Sequence, residues 1–173
     1  MTFFSGFGFA NEAELFADYL PSGASAHCVA GFSLGAIKAF QCAIASDFRI
    51  DRLILLSPAF FQDKDRKFAR LQLINYARDG ASYMRNFYAA CGKFNAKYID
   101  PNPQADDLRK SLNHQWSLDM FDSLKNLQIE IYLGGKDNII NSEKAAEFFS
   151  KTHAQTTYIK NANHLLQIEE QTI

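Results

Sequence analysis

Ser33, Asp137 and His164 are the residues of this sequence whose types and surroundings could do covalent chemistry. Ser33 lies in Gly31-Phe32-Ser33-Leu34-Gly35, with a glycine two positions away on either side. Where a strand turns directly into a helix, the middle residue is forced into a strained conformation, and the glycines fill places where strand and helix nearly touch. The Ser33 hydroxyl would then project at a helix N-terminus, whose free N–H groups and dipole favour negative charge. By themselves these five residues fit a glycine-rich turn with an incidental serine equally well. Nucleophilic serine chemistry also needs a base within hydrogen-bond reach and an acid that fixes the base's tautomer. Asp137 follows the strand-like run Ile129 to Gly134, and His164 follows the run Thr156 to Lys160. In a parallel sheet all three would share the edge formed by the strand C-termini. Singly, the aspartate reads as a turn residue and the histidine as a surface or core residue; jointly they point to one site.

The elements that must position these residues are legible from periodicity. Thr2 to Ser5 is a short apolar start that could be a strand, Ala26 to Ala30 and Arg52 to Leu56 read as buried strands, and Ile129 to Gly134 and Thr156 to Lys160 complete a set of five. Helices are expected after Asn11, where Glu14 suggests a capping box, over Ala36 to Ala45 and over Ser142 to Lys151, with a short terminal helix after His164. Strands that alternate with helices imply an α/β fold with a mostly parallel sheet. Between about residues 60 and 124 no strand pattern is present. Met84, Phe87, Tyr88 and Cys91 instead recur at helical spacing, and Leu108 with Leu112 suggests another helix, so this region reads as a helical insertion between strands.

The 173 residues suit one domain spanning 1–173, and 47% hydrophobic content with 16 phenylalanines implies a substantial core. No apolar run approaches the roughly 18 residues needed to cross a membrane, and no secretory signal is read at the N-terminus. Cys28, Cys42 and Cys91 are odd in number and lack metal-ligand spacing, so free thiols in a reducing, cytoplasmic setting are expected. No metal cluster, phosphate loop, cofactor motif or nucleic-acid module is evident. The net charge of −1 hides an asymmetry: residues 62–97 hold eight basic residues against Asp63, Asp65 and Asp79, a local +5. On a helix, Arg66, Lys67, Arg70 and Arg78 would fall within an arc of about 120°, forming a basic face suited to an acidic partner or simply to solvent.

Gly31 to Gly35, Leu133-Gly134-Gly135-Lys136-Asp137 and Asn161-Ala162-Asn163-His164 together resemble the α/β-hydrolase superfamily, whose chain order of serine, acid and histidine is the same. Phe3-Phe4-Ser5-Gly6-Phe7-Gly8 is similar to that superfamily's oxyanion loop, with serine where histidine is common. The resemblance implies an oxyanion hole made by the Phe7 and Leu34 N–H groups and a trimmed α/β-hydrolase fold of about five strands with a helical lid. A closer resemblance is to the short pimeloyl-[acyl-carrier protein] methyl ester esterases of biotin synthesis. It rests on the N-terminal Phe3 to Phe9 stretch with Asn11-Glu12, the Gly31 to Lys38 elbow, Arg70 to Leu73, Ser82 to Met84 with Asn86 to Tyr88, and Asn163 to Gln167. It implies an acyl-carrier protein as partner, presenting an acyl chain on a phosphopantetheine arm. Arg66, Lys67, Arg70 and Arg78 would then meet the carrier, and Phe68, Leu71, Met84, Phe87 and Tyr88 would line the acyl site. An acyl thioesterase or general small-ester hydrolase fits the same three residues. So does a catalytically silent hydrolase fold that binds an acidic partner.

Overall fold

Five short runs become strands: β1 (Thr2–Phe4), β2 (Cys28–Phe32), β3 (Arg52–Leu56), β4 (Gln128–Gly134) and β5 (Gln155–Ile159). They are described by a computed structural model covering residues 1–21 and 27–168. The five strands form one sheet in the order β1-β2-β3-β4-β5, and every neighbouring pair is parallel. The elbow strand begins at Cys28 and runs to Phe32, two residues further than its expected end, so it delivers the chain directly to Ser33. The stretch from Ser22 to Ala26 and the terminal helix expected around Glu169 and Glu170 lie outside the described residues.

Apolar side chains alternate across the sheet, as a period of two requires. Val29, Leu53, Leu55, Ile129, Ile131 and Leu133 face α1 (Leu34–Ala45) and α6 (Ser142–Phe149), while Ala30, Phe32, Ile54 and Leu56 face Phe9, Phe16 and Tyr98. Covering on both faces explains why β2 and β3 read as continuous apolar runs, as parallel strands do. Each of the fully buried phenylalanines Phe16, Phe32 and Phe40 contributes about 1.5–3 kcal/mol through removal from water.

Between β3 and β4 the chain forms α2 (Arg66–Arg78), α3 (Gly80–Cys91), α4 (Ala105–Asn113) and α5 (Leu118–Asp122). Asp65 caps α2 by accepting the Phe68 N–H, and Asp79 caps α3 by accepting the Ser82 N–H, each at 2.9 Å. Gly80 therefore opens a helix directly behind the last residue of α2's cap. The insertion is fastened to the sheet layer by buried Met84, Leu108, Leu112, Trp116 and Phe121, by a backbone bridge between Phe9 and Ile99, and by polar ties such as Tyr88 Oη–H to the Gly8 carbonyl (2.6 Å) and Trp116 Nε1–H to the Ala59 carbonyl (2.9 Å).

The N-terminal capping box is not formed. Asn11 sits in the left-handed region at φ 59° and caps nothing, and the following element is a 3-10 helix, Glu12–Phe16. Glu14 turns outward to accept from the Tyr98 hydroxyl (2.6 Å) and from Lys97 Nζ (2.9 Å), while its neighbour Glu12 turns into the protein. Cys28, Cys42 and Cys91 are free thiols. No helix among the described residues is long and apolar enough to cross a membrane.

Candidate active site

The turn at Ser33 is built by lack of bulk. A Cβ on Gly31 would overlap the Gly35 carbonyl, and one on Gly35 would overlap the Phe4 carbonyl, so a side chain at either position would push strand, helix and the loop after β1 apart. Ser33 itself sits at φ 52°, ψ −113°, a backbone conformation that L residues rarely adopt and that persists only where surroundings over-determine it. Its N–H donates to the Leu56 carbonyl (2.9 Å), and its carbonyl accepts from Ala59 N–H (3.2 Å), which ties the elbow to the end of β3. An incidental serine in a loose turn has no such constraint.

Asp137 and His164 are placed by the loops after β4 and β5, which lie against each other. The Gly135 N–H donates to Ile159 and the Lys136 N–H to Ala162, both at 2.8 Å, and a Cβ on Gly134 would strike the Asn163 and Ala162 carbonyls. Asp137 Oδ1 accepts the Ile139 N–H (2.7 Å) and the Ile140 N–H (3.1 Å), leaving Oδ2 for the histidine. His164 Nδ1 lies 2.6 Å from Asp137 Oδ2, and Nε2 lies 3.2 Å from Ser33 Oγ. With Nδ1–H donating to the carboxylate, Nε2 carries the lone pair and accepts from the serine hydroxyl. The imidazole and the Asp137 carboxyl are both 0% exposed, and Phe32 packs on the imidazole with ring centroids 5.0 Å apart. The loop bearing His164 is braced by Asn163, whose Oδ1 accepts the Leu165 (3.0 Å) and Gln167 (3.2 Å) N–H groups. The other acids close to a strand end are otherwise engaged: Asp65 caps α2 and Asp63 pairs with Lys64 at 3.1 Å.

Ser33 opens onto a cavity of about 640 Å³ bounded on one side by the insertion. Phe7, Phe61, Phe68, Phe87, Leu112 and Ile139 give it apolar walls, and Gln72, Asn75, Arg78, Asn86 and Asn138 add polar groups. Phe7 reaches this edge because β1 pairs with β2 in a register that sets Phe4 beside Gly31. Among the described residues, neither the Phe7 nor the Leu34 N–H donates to a backbone carbonyl.

Several expected positions differ. Leu71 is 54% exposed and points away from the cavity, because α2 turns its other face to α3 and α4. Met84 is buried against Gly8, and Tyr88 spends its hydroxyl on the Gly8 carbonyl, so both support the loop after β1 and are absent from the cavity wall; Phe68 and Phe87 are on it. Arg66, Lys67 and Arg70 are exposed, and Arg66 and Arg70 border a separate shallow groove of about 360 Å³ with Leu73, Ile74 and Asn113. Arg78 borders the catalytic cavity instead. The polar wall went unread in the sequence because amides on an amphipathic helix look the same whether they meet solvent or a pocket. Among the described residues no cluster of His, Cys, Asp and Glu is arranged to hold a metal ion.

No protein-family model and no curated protein matches the sequence. Solved structures do match in shape. A lipase-esterase related protein from Clostridium acetobutylicum superposes with a TM-score of 0.65 at 14% identity, covering 96% of this chain and 87% of that one. BioG from Haemophilus influenzae gives a TM-score of 0.60 at 11% identity, with 95% and 87% covered. An esterase from Exiguobacterium antarcticum gives 0.57 at 16% identity over 78% of this chain, but the chain spans only 58% of that protein's length. The parallel five-stranded sheet, the strained serine between strand and helix and these superpositions agree that the chain has the α/β-hydrolase fold.

Proposed function

We propose that the chain is a serine carboxylesterase acting on the methyl ester of a pimeloyl chain carried by acyl-carrier protein. The observation that carries the esterase reading is the buried line Asp137–His164–Ser33, with successive separations of 2.6 and 3.2 Å. Ser33 Oγ attacks the ester carbonyl as Nε2 of His164 takes its proton, and Asp137 holds the imidazolium that results. The oxyanion is received by the Phe7 and Leu34 N–H groups, the second at the N-terminus of α1. His164 returns the proton to the departing methoxide, and methanol leaves. The same imidazole then deprotonates a water that cleaves the acyl-serine and frees the carboxylate.

The substrate is supported by the motif resemblance, by the mixed wall of the cavity and by the exposed Arg66, Lys67 and Arg70 on the insertion. An apolar wall beside Ser33 suits a methylene chain, and the amides of Gln72, Asn75, Asn86 and Asn138 suit the amide groups of a pantetheine arm. The same triad would also cleave the thioester that joins the chain to its carrier. One incubation separates these readings: the carrier-bound pimeloyl methyl ester is treated with the protein, and methanol and free carrier thiol are both measured. Methanol without thiol is the expected result. Thiol without methanol would make the chain a thioesterase, and neither product together with no labelling of Ser33 by a fluorophosphonate would make it a silent binding fold.

A further inference from the structure

The carboxyl of Glu12 has no part in the chemistry set out above, yet it touches the segment that does. Its residue is 0% exposed; Oε1 accepts the Gly6 N–H at 2.7 Å, and Oε2 has no partner among the described residues. Burying a carboxyl is costly, and burial pushes this group above its usual value of 4.5 even though the Gly6 N–H, its own backbone N–H and the Ser5 hydroxyl oppose the shift.

What that contact governs follows from peptide geometry. The peptide linking Gly6 to Phe7 is trans, so the Phe7 N–H points opposite to the Gly6 carbonyl. That carbonyl accepts the Phe9 N–H at 3.1 Å, which sets the direction of the Phe7 N–H; one peptide earlier, Glu12 holds the Gly6 N–H. Two successive peptide planes are therefore fixed on either side of a glycine. Gly6 is the residue of this loop most free to rotate, and it has no room for a side chain, because a Cβ there would meet the Phe32 ring at 2.6 Å. Restraint that a side chain cannot supply comes from Glu12.

We propose that Glu12 is a positioning residue for the oxyanion site, holding the Ser5–Gly6 peptide plane that adjoins the one from which the Phe7 N–H meets the ester oxygen. This rests on the esterase reading and on the role given there to Phe7. The tests compare Glu12→Met, which keeps length and burial without an acceptor, with Glu12→Gln, which keeps the acceptor. A small free ester, p-nitrophenyl butyrate, is the substrate, and a short alkyl boronic acid serves as a mimic of the tetrahedral adduct. Loss of a whole oxyanion donor costs about 10²–10³ in kcat, so its misalignment in Glu12→Met should cost about 10- to 100-fold. KM should stay within about twofold and boronate affinity should fall with kcat, while Glu12→Gln stays within about threefold of the parent throughout. If Glu12→Met does not fold, Glu12→Asp keeps the carboxyl, withdraws the acceptor by one methylene and should show the same kcat-selective loss. The inference is overturned by parental kcat in Glu12→Met or Glu12→Asp, by a change confined to KM, or by a loss in Glu12→Gln equal to that in Glu12→Met. A parent protein inert toward both ester and fluorophosphonate would overturn the esterase reading first, an outcome distinct from an active parent indifferent to Glu12.

Discussion

The edge that bears Ser33, Asp137 and His164 and the insertion that covers it are built on opposite principles. At the edge, three loops leave parallel strands and lock into one another through main-chain hydrogen bonds and glycine contacts, and the imidazole is 0% exposed. In the insertion, α2 has no buried residue and its caps are exposed aspartates, while the rest meets the sheet layer through buried Met84, Leu108, Leu112, Trp116 and Phe121 and a backbone bridge between Phe9 and Ile99. Positional precision is concentrated where bonds are made and broken, and surface chemistry where a substrate must be received and released. Changes at the edge should therefore act on turnover of every substrate, and changes on the insertion should act selectively.

The widest gap between the two regions should come from Ser33→Ala. It should leave the thermal transition near that of the parent and lower kcat on any ester on the order of 10⁴-fold or more, in steady-state assays of a clean preparation. Next in size is Asp137→Asn, which presents the wrong tautomer and should cost up to about 10⁴-fold, whereas Asp119→Asn and Asp122→Asn on α5 should each stay within about twofold. A reversal of that ranking would move the acid out of the loop after β4. The insertion's own signature should appear in Arg66→Glu combined with Arg70→Glu. Association with the acidic carrier should slow by roughly tenfold at low salt, converging with the parent at high salt, with p-nitrophenyl butyrate hydrolysed at the parental rate. Equal losses on both substrates would erase the distinction between the regions.

The smallest effect concerns stability. Burial raises the Glu12 carboxyl above 4.5, so the folded state favours its neutral form, and the associated stability is lost as pH rises through the folded value. Glu12→Gln cannot ionise. Its melting temperature relative to the parent should rise between pH 4 and pH 7, measured by calorimetry; a constant difference would mean that the carboxyl titrates alike in the folded and unfolded chain.

The sequence disclosed the edge more fully than the insertion, for physical reasons. Two glycines flanking Ser33 encode a steric demand that few other structures make, and Asp137 follows a strand whose apolar run is unmistakable, whereas His164 follows the more polar strand Gln155–Ile159. The five strands followed from the same pattern reading. Where spacing was matched by coincidence, as with Asn11 and Glu14, the local motif misled, because Tyr98 and Lys97, more than 80 positions away, compete for the same carboxylate. Nothing local distinguishes Glu12, which is buried, from Glu14, which is not. The outward turn of Leu71 and the inward placement of Arg78 depend on how α2 settles against α3 and α4, a tertiary choice that an amphipathic pattern of modest contrast does not specify.

The hydrogen bond between His164 and Ser33 joins residues 131 positions apart. Loop closure over that distance is unfavourable until the intervening strands have paired, so recovery of activity during refolding times the pairing of β5 with β4. Trp116, the single tryptophan, packs among Phe40, Phe121 and Phe149 and so reports a different event, the seating of the insertion on α1 and α6. Its fluorescence and the return of the proposed activity would therefore follow two separate events within one chain.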